Sequence, residues 1–305
     1  MSFERVLVTG AAGLLGGYIV DALAPHCSVT GFDRRPGRHD IPWKIGDITD
    51  AVAVSAAVRG HDAVIHVAAV PNIWSGDGET IMRVNTMGTW LVLDAAEQAG
   101  IRRVTLCSSD SVVGFTVAEG RLLPPLYLPV DVAHPRRPTD PYALSKLLGE
   151  ETGRSFAERG RLEVLVLRPV FIAYPEMYPE IRARAANPTG YKGPMAGGPS
   201  AAGGGPVWHH VDPRDAAHAF RLALEIPYSG FEAFFISAAK TLAPEPTLDR
   251  LRRALGYLPD IRDPELYKRH PFAPLYDLAH ARDRLGFTPQ FDARTIALAA
   301  EPTGH

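Results

Sequence analysis

The chain has 305 residues, of which 46% are hydrophobic and 22% charged, and a net charge of −2, a globular composition that can build a sizeable core in one large or two smaller domains. Acids and bases are interspersed without a basic run, which excludes nucleic acid and anionic membrane surfaces as expected partners. Two cysteines, Cys27 and Cys107, without metal-ligand spacing suit a reducing compartment rather than a disulfide scaffold.

The opening "MSFERVLVTG" enters a strand almost at once. That leaves no room for a signal peptide, and no apolar run is long enough to span a bilayer, so a soluble, cytoplasmic protein is expected. Through residue 170 short apolar runs alternate with helical stretches. "RVLVTG", "SVTGFD", "AVIHVAA", "RRVTLCSS" and "LEVLVLRP" read as strands, with "WKIGD" as a further candidate. "GLLGGYIVDALA", "DAVAVSAAVRG" and "IMRVNTMGTWLVLDAAEQAG" read as helices between them. Strands rich in Val, Ile and Leu, without polar alternation, predict a parallel sheet covered on both faces. The expected fold is therefore α/β, a Rossmann-type doubly wound sheet that binds ligands beyond the carboxyl ends of its strands. After residue 170 the pattern degrades. "NPTGYKGPMAGGPSAAGGGP" (187–206) reads either as a surface excursion or as a lid over a site. "DAAHAFRLALE", "TLDRLRRAL" and "DLAHARDRLGF" read as helices and "FEAFFISA" as a strand. The division expected is 1–170 as nucleotide-binding domain and 171–305 as mainly a substrate lobe, with elements returning to the sheet.

Chemistry concentrates at the strand ends. Gly10, Gly13 and Gly16 stand at the turn between the first strand and the first helix. Glycine there permits positive φ and lets a pyrophosphate reach the backbone and the helix amino end. Asp33 closes the second strand, at the distance where a carboxylate accepts hydrogen bonds from an adenosine ribose and repels a 2′-phosphate, so NAD is expected over NADP. Arg34 and Arg35 beside it could instead pair with that phosphate. Asp47 lies where an adenine edge would fall, or else caps the helix starting near Asp50. "DPYALSKLLGE" puts Tyr142 and Lys146 one helical turn apart on one face. Taken alone, such a pair also reads as a surface contact on an amphipathic helix.

Assembled, "TGAAGLLG", Asp33, "GDITD", "HVAA", "VNTMGT", "SSDSVVG", "YALSK", "LRP" and "HHVDPRDAA" resemble the extended short-chain dehydrogenases/reductases, the superfamily of the NAD-dependent sugar epimerases, dehydratases and related dehydrogenases. That resemblance implies NAD contacts from Gly10, Gly13, Leu14, Leu15, Gly16, Asp33, Arg34, Asp47, Ile48, Val67, Ala68, Ala69 and Pro169, with Asn85 fixing the backbone behind the cofactor. It implies Ser109, Tyr142 and Lys146 as catalytic residues, with Lys146 also on the nicotinamide ribose, and a homodimer. The chemistry agrees: a phenol titrating near pH 10 becomes a base for a secondary alcohol if Lys146 and the nicotinamide charge lower its pKa. Ser109 would orient the alcohol. For Ser108 the residues leave both a backbone-satisfying and a functional role open.

Substrate class rests on "RPVFIAYP". Relatives handling nucleotide sugars carry an asparagine where Phe171 stands, and an apolar ring cannot replace its hydrogen bonds. "SSDSVVGF", "PRRPTDPYALSK" and the Pro175–Glu176 pair instead resemble bacterial uronate dehydrogenases, whereas "RDRLGFTPQF" resembles the epimerases. A dehydrogenase acting on a sugar or sugar acid is expected, with a nucleotide-sugar epimerase or dehydratase as the alternative. A non-catalytic NAD(P) sensor is disfavoured because Tyr142 and Lys146 are both present. Asp110, Phe171, Arg182 and His210 are the candidate substrate contacts beside Ser109. Arg182 and Arg184 also read as solvated surface residues, and His209 and His210 lack the partners of a metal site. Asp215 reads as a helix cap.

Overall fold

The computed structural model describes residues 3–115, 123–187, 208–227 and 230–299. In chain order these form β1 (Arg5–Thr9), α1 (Leu14–Leu23), β2 (Ser28–Asp33), β3 (Trp43–Ile45), α2 (Ala51–Val58), β4 (Ala63–His66), α3 (Gly78–Met82), α4 (Gly88–Gln98), β5 (Arg103–Cys107), β6 (Tyr127–Leu128), α5 (Pro141–Glu158) and β7 (Glu163–Pro169). The second half adds α6 (Tyr178–Ala186), α7 (Pro213–Ala223), β8 (Phe231–Ile236), α8 (Thr247–Leu255), β9 (Asp260–Ile261), α9 (Pro264–Arg269) and α10 (Ala293–Ala299). Seven strands make one sheet in the order β3-β2-β1-β4-β5-β7-β8, every pair parallel. β6 and β9 form a separate two-stranded pair.

Why the strands are apolar without alternation is visible in β1. Val6 and Val8 belong to the core on one face, which α1 and α7 cover, while Leu7 belongs to the core on the other, with α2, α4 and α5. Successive side chains point to opposite faces, and both faces are dry, so every position must be apolar. The six strands expected before residue 170 are all present, and "FEAFFISA" becomes β8, which extends the same sheet beside β7.

Three elements differ from expectation. The long helix expected over "IMRVNTMGTWLVLDAAEQAG" is interrupted by a π-turn at Arg83–Met87, between α3 and α4. "DLAHARDRLGF" is helical only from residue 279 and passes at once into the π-turn Ala281–Leu285. Asp215 does not cap α7: Asp212 does, its side chain accepting from the Arg214 amide. Asp215 is buried one turn in and accepts from the amides of Gln290 and Phe291, tying the C-terminal segment to the helix. The Gly/Pro-rich segment read as a loop or lid lies, beyond residue 187, outside the described residues.

Candidate active site

Parallel strands bring their carboxyl ends to one edge, and the expected cofactor and catalytic residues line it. At the end of β1, Gly10 takes φ +72°, and a Cβ there would come within 2.7 Å of the Ala68 amide nitrogen. A Cβ on Gly16 would sit 2.1 Å from the Gly10 carbonyl, so the close helix–strand contact excludes any side chain. Gly13 differs: its Cβ would meet only the Gly10 oxygen, at 3.2 Å, and would otherwise project over the entrance of α1. No side chain caps α1, which leaves the first-turn amides of Leu14, Leu15 and Gly16 open. An uncapped helix amino end with no Cβ in front of it fits a diphosphate. Asp33 ends β2 with its carboxylate held against this loop, accepting from the amides of Ala12 at 3.1 Å and Arg34 at 2.7 Å. That placement fits a ribose hydroxyl pair.

Asp47 does not cap α2, because Asp50 does. Asp47 instead accepts from the Thr49 amide and hydroxyl, and these bonds hold its carboxyl below its ordinary range. Ile48 is buried against Gly88, and Pro169 ends β7 opposite Ile236.

Behind Val67, Ala68 and Ala69 runs a chain of buried hydrogen bonds that the sequence did not reveal. The Thr9 hydroxyl, 2.8 Å from His66 Nδ1, accepts from the Val67 and Ala68 amides. The far side of the ring, Nε2, lies 3.1 Å from the Thr89 hydroxyl, which itself donates to the Asn85 carbonyl. With Thr89's proton committed, Nε2 carries the ring hydrogen and Nδ1 accepts from Thr9, so His66 is neutral with one defined tautomer. Burial agrees, pushing its pKa down to about 3. Asn85 then clamps the segment above: its side chain accepts from the Val70 amide at 2.7 Å and donates to the Val70 carbonyl and to Ser145 Oγ. The extra residue of the π-turn is what aims Asn85 there, out of step with α4.

Ser145 donates to the Tyr142 carbonyl, which links this chain to α5. Asp140 caps α5, accepting from the Ala143 amide, and Pro141 starts it. Tyr142 and Lys146 are half-buried on one face of α5, with Lys146 Nζ 5.7 Å from the centre of the Tyr142 ring and donating to the Cys107 carbonyl at 2.8 Å. The expected base depends on Lys146 together with the nicotinamide charge, and the protein alone supplies only the lysine. Burial pushes the Tyr142 hydroxyl well above its ordinary value, with Cys107, Asp110 and Asp140 adding to the effect and Ser109 opposing it. Burial also pulls the Lys146 ammonium down, against the influence of Cys107 and Glu150. Without a further positive charge, Tyr142 is a neutral phenol.

Ser109 is buried and caps a 3-10 turn at Asp110–Val113, accepting from the Ser111 amide at 3.1 Å and lying 3.3 Å from Asp110 Oδ1. Its side chain also hydrogen-bonds with the Tyr142 hydroxyl, which opposes the rise in the phenol's pKa. Asp110 is buried and accepts from the Tyr276 hydroxyl at 2.8 Å, a partner so distant in sequence that no spacing pointed to it. Ser108 donates to Glu150, which is bidentate with Arg168. Glu150 was legible, since it continues the Tyr142–Lys146 face by one more turn.

Of the substrate candidates, Ser109 and Asp110 lie near Tyr142, whereas Phe171, Arg182 and His210 come from the segments after β7. Phe171 packs in a smaller apolar cluster with Ile181, Trp208 and Ala297. Arg182 donates to the Ala297 carbonyl, holding α6 to α10. Arg184 is no solvated surface residue: it is buried, paired with Glu180 and set beside the Trp208 ring. His209 and His210 are buried, and burial pushes them down to about 3 and about 4. His209 packs on Tyr276, and His210 lies 4.0 Å from Asp292.

The match to known proteins decides the family. A family model described as "NAD dependent epimerase/dehydratase family" matches residues 6–236. The chain belongs to that family. It is 37% identical over 171 residues to an L-arabinose 1-dehydrogenase (NAD(P)(+)) of Haloferax volcanii, covering 54% of this chain and 65% of the relative. It is 31% identical over 180 residues to a uronate dehydrogenase of Pseudomonas syringae pv. tomato, covering 57% and 61%. These matches thus span less than two thirds of either relative. A solved short-chain dehydrogenase/reductase superfamily protein from Agrobacterium tumefaciens with bound NAD superposes with a TM-score of 0.71 at 27% identity, covering 97% of this chain and 96% of that one. No helix among the described residues is long and apolar enough to cross a membrane.

The buried histidines set a pH dependence. Unfolded imidazoles take up a proton near pH 6.5, whereas His66, His209 and His210 do so near 3 to 4 in the fold. The unfolded chain therefore binds more protons between these limits, so their contribution is complete above pH 6.5 and is lost as pH falls toward 4. Thermal melts from pH 8 to pH 4 should show the melting temperature dropping below about 6.5, well above the range where carboxylates protonate. A flat profile from pH 7 to pH 5 would contradict neutral buried imidazoles.

Proposed function

We propose that this chain is an NAD-dependent dehydrogenase that oxidises a secondary or hemiacetal hydroxyl of a free sugar or sugar acid. The observation that carries the reading is the Tyr142–Lys146 face of α5, held by the Cys107 carbonyl at the ligand edge of the sheet beside Ser109. NAD⁺, when bound, supplies the hydride acceptor and a positively charged nicotinamide ring. Gly10, Gly13 and Gly16 with the open amides of α1 would hold its diphosphate, and Asp33 the adenosine ribose. Tyr142 would take the substrate hydroxyl proton, and Lys146 would steady the resulting phenolate. Ser109 would turn its hydroxyl from Asp110 to the substrate oxygen, orienting the alcohol and then supporting the carbonyl.

For the substrate, the supporting observation is Phe171, whose ring is half-buried among apolar side chains. A nucleotide sugar placed there would find no polar partner at that position, and a stranded polar group costs about 1–3 kcal/mol. The sequence likeness to arabinose and uronate dehydrogenases points the same way.

Three experiments test the reading. NAD should bind at least about tenfold tighter than NADP, roughly 1.4 kcal/mol, in calorimetric titrations, because the Asp33 carboxylate repels a 2′-phosphate. Equal affinities would mean that Arg34 or Arg35 overrides it. Tyr142→Phe should lower turnover by about 10²-fold or more, the usual scale for loss of a general base, with NAD affinity little changed; near-normal turnover would remove the tyrosine from its role. Across a panel of aldoses, uronates and UDP-hexoses, free sugars or sugar acids should generate NADH absorbance. Interconversion of a UDP-hexose without net NADH would assign the chain instead to epimerisation with retained cofactor.

A further inference from the structure

The end of β5 is fastened to α5 twice, on successive helical turns, immediately before Ser109. Lys146 Nζ donates to the Cys107 carbonyl at 2.8 Å, and Ser108 Oγ donates to Glu150 Oε1 at 2.6 Å. Glu150 and Arg168 are 1% and 2% exposed. Arg168 donates to both carboxylate oxygens, from Nε at 2.8 Å and Nη2 at 2.7 Å, and the Ser108 amide donates to the Leu167 carbonyl. Arg136 Nη1 lies 3.7 Å from the outer oxygen. One buried carboxylate thus joins the catalytic helix, the strand end carrying Ser109 and the neighbouring strand β7.

Apolar packing already holds α5 to the sheet, through Phe156, Leu106, Val164 and Val166. A buried ion pair is often no more stabilising than apolar side chains of equal volume, so adhesion alone does not account for this one. What it adds is direction: three charge-assisted hydrogen bonds fix the carboxylate to within a narrow geometry. Ser109 is covalently the next residue after Ser108, and Tyr142 lies two turns before Glu150 on the same helix face.

We propose that Ser108 and Glu150, anchored by Arg168, are a positioning pair for the reaction: their bond sets the separation of Ser109 from Tyr142. Neither touches the substrate. The proposal rests on the reading of Tyr142 and Ser109 given above and goes beyond it by assigning Ser108 and Glu150.

Ser108→Ala tests it with little risk to folding, because Glu150 keeps both bonds from Arg168. Tyrosines carrying ¹³C at Cζ report the Tyr142 environment by NMR, its resonance assigned with Tyr142→Phe. The expected result is a displaced Tyr142 resonance, a kcat lowered about tenfold or more, and KM and NAD Kd within about twofold of the parent. Glu150→Gln should do the same, and the double variant should fall no lower than Glu150→Gln alone, since residues acting as one unit are not additive. If Glu150→Gln does not fold, Ser108→Ala decides by itself. A lowered melting temperature with unchanged kcat and an undisplaced resonance would overturn the proposal, as would losses that multiply in the double variant. The resonance is read without turnover. A parent chain that oxidises no sugar would therefore sink the proposed function and still leave the positioning pair to be judged.

Discussion

Glu150 and Arg168 are withdrawn from water between the sheet and α5, and neither is tenable there without the other. Removing one partner of such a pair commonly costs about 3–5 kcal/mol, because an unmatched charge is left in a dry wall. Their geometry propagates outward: the carboxylate fixes Ser108, Ser108 fixes the end of β5, and that strand end supplies the carbonyl that receives Lys146. On the opposite side of the cofactor edge, the Thr9–His66–Thr89–Asn85–Ser145 chain serves a similar purpose with neutral groups. The two networks meet on α5, at Ser145 and Glu150.

The same burial that stiffens the site also sets its resting chemistry. Tyr142 is crowded enough that its phenol resists ionisation, and Lys146 is crowded enough to be a reluctant cation. On the proposed reading of Tyr142 as the base, its reactivity would be tied to the arrival of positive charge at the strand edge, and so to occupancy of the nucleotide site.

Much of this was legible in the residues. Unalternated Val and Ile runs announced a sheet dry on both faces, and β1, β2, β4, β5 and β7 followed them closely because the core admits little else. Glycines at 10, 13 and 16 and the Tyr142–Lys146 spacing are local patterns, each readable within one turn of chain. What escaped was non-local or irregular. Tyr276 meets Asp110 across 166 positions, and no spacing rule reaches that far. The π-turn at Arg83–Met87 interrupts a helix whose composition is continuous, and it holds Asn85, whose side chain bonds the distant Val70 backbone. Asp215 had the residue type and place of a cap, yet tertiary packing gave that task to Asp212 three positions earlier. Arg184 looked like a solvated charge because nothing local names its partners, Glu180 excepted.

β8 carries a consequence for how the chain can be divided. It comes from the second half of the sequence, yet it lies in parallel register against β7 from Val164 to Pro169, and α7, also from that half, packs on α1. A polypeptide cut after residue 170 would have β7 as a bare margin, with unpaired amides and carbonyls beside an apolar surface, and α1 stripped of its cover. Such an edge recruits other strands and aggregates. The nucleotide-binding half is therefore not a module that recombination or truncation can lift out: the halves are interleaved, and a viable split would have to leave the region of Phe231–Ile236 with the first piece.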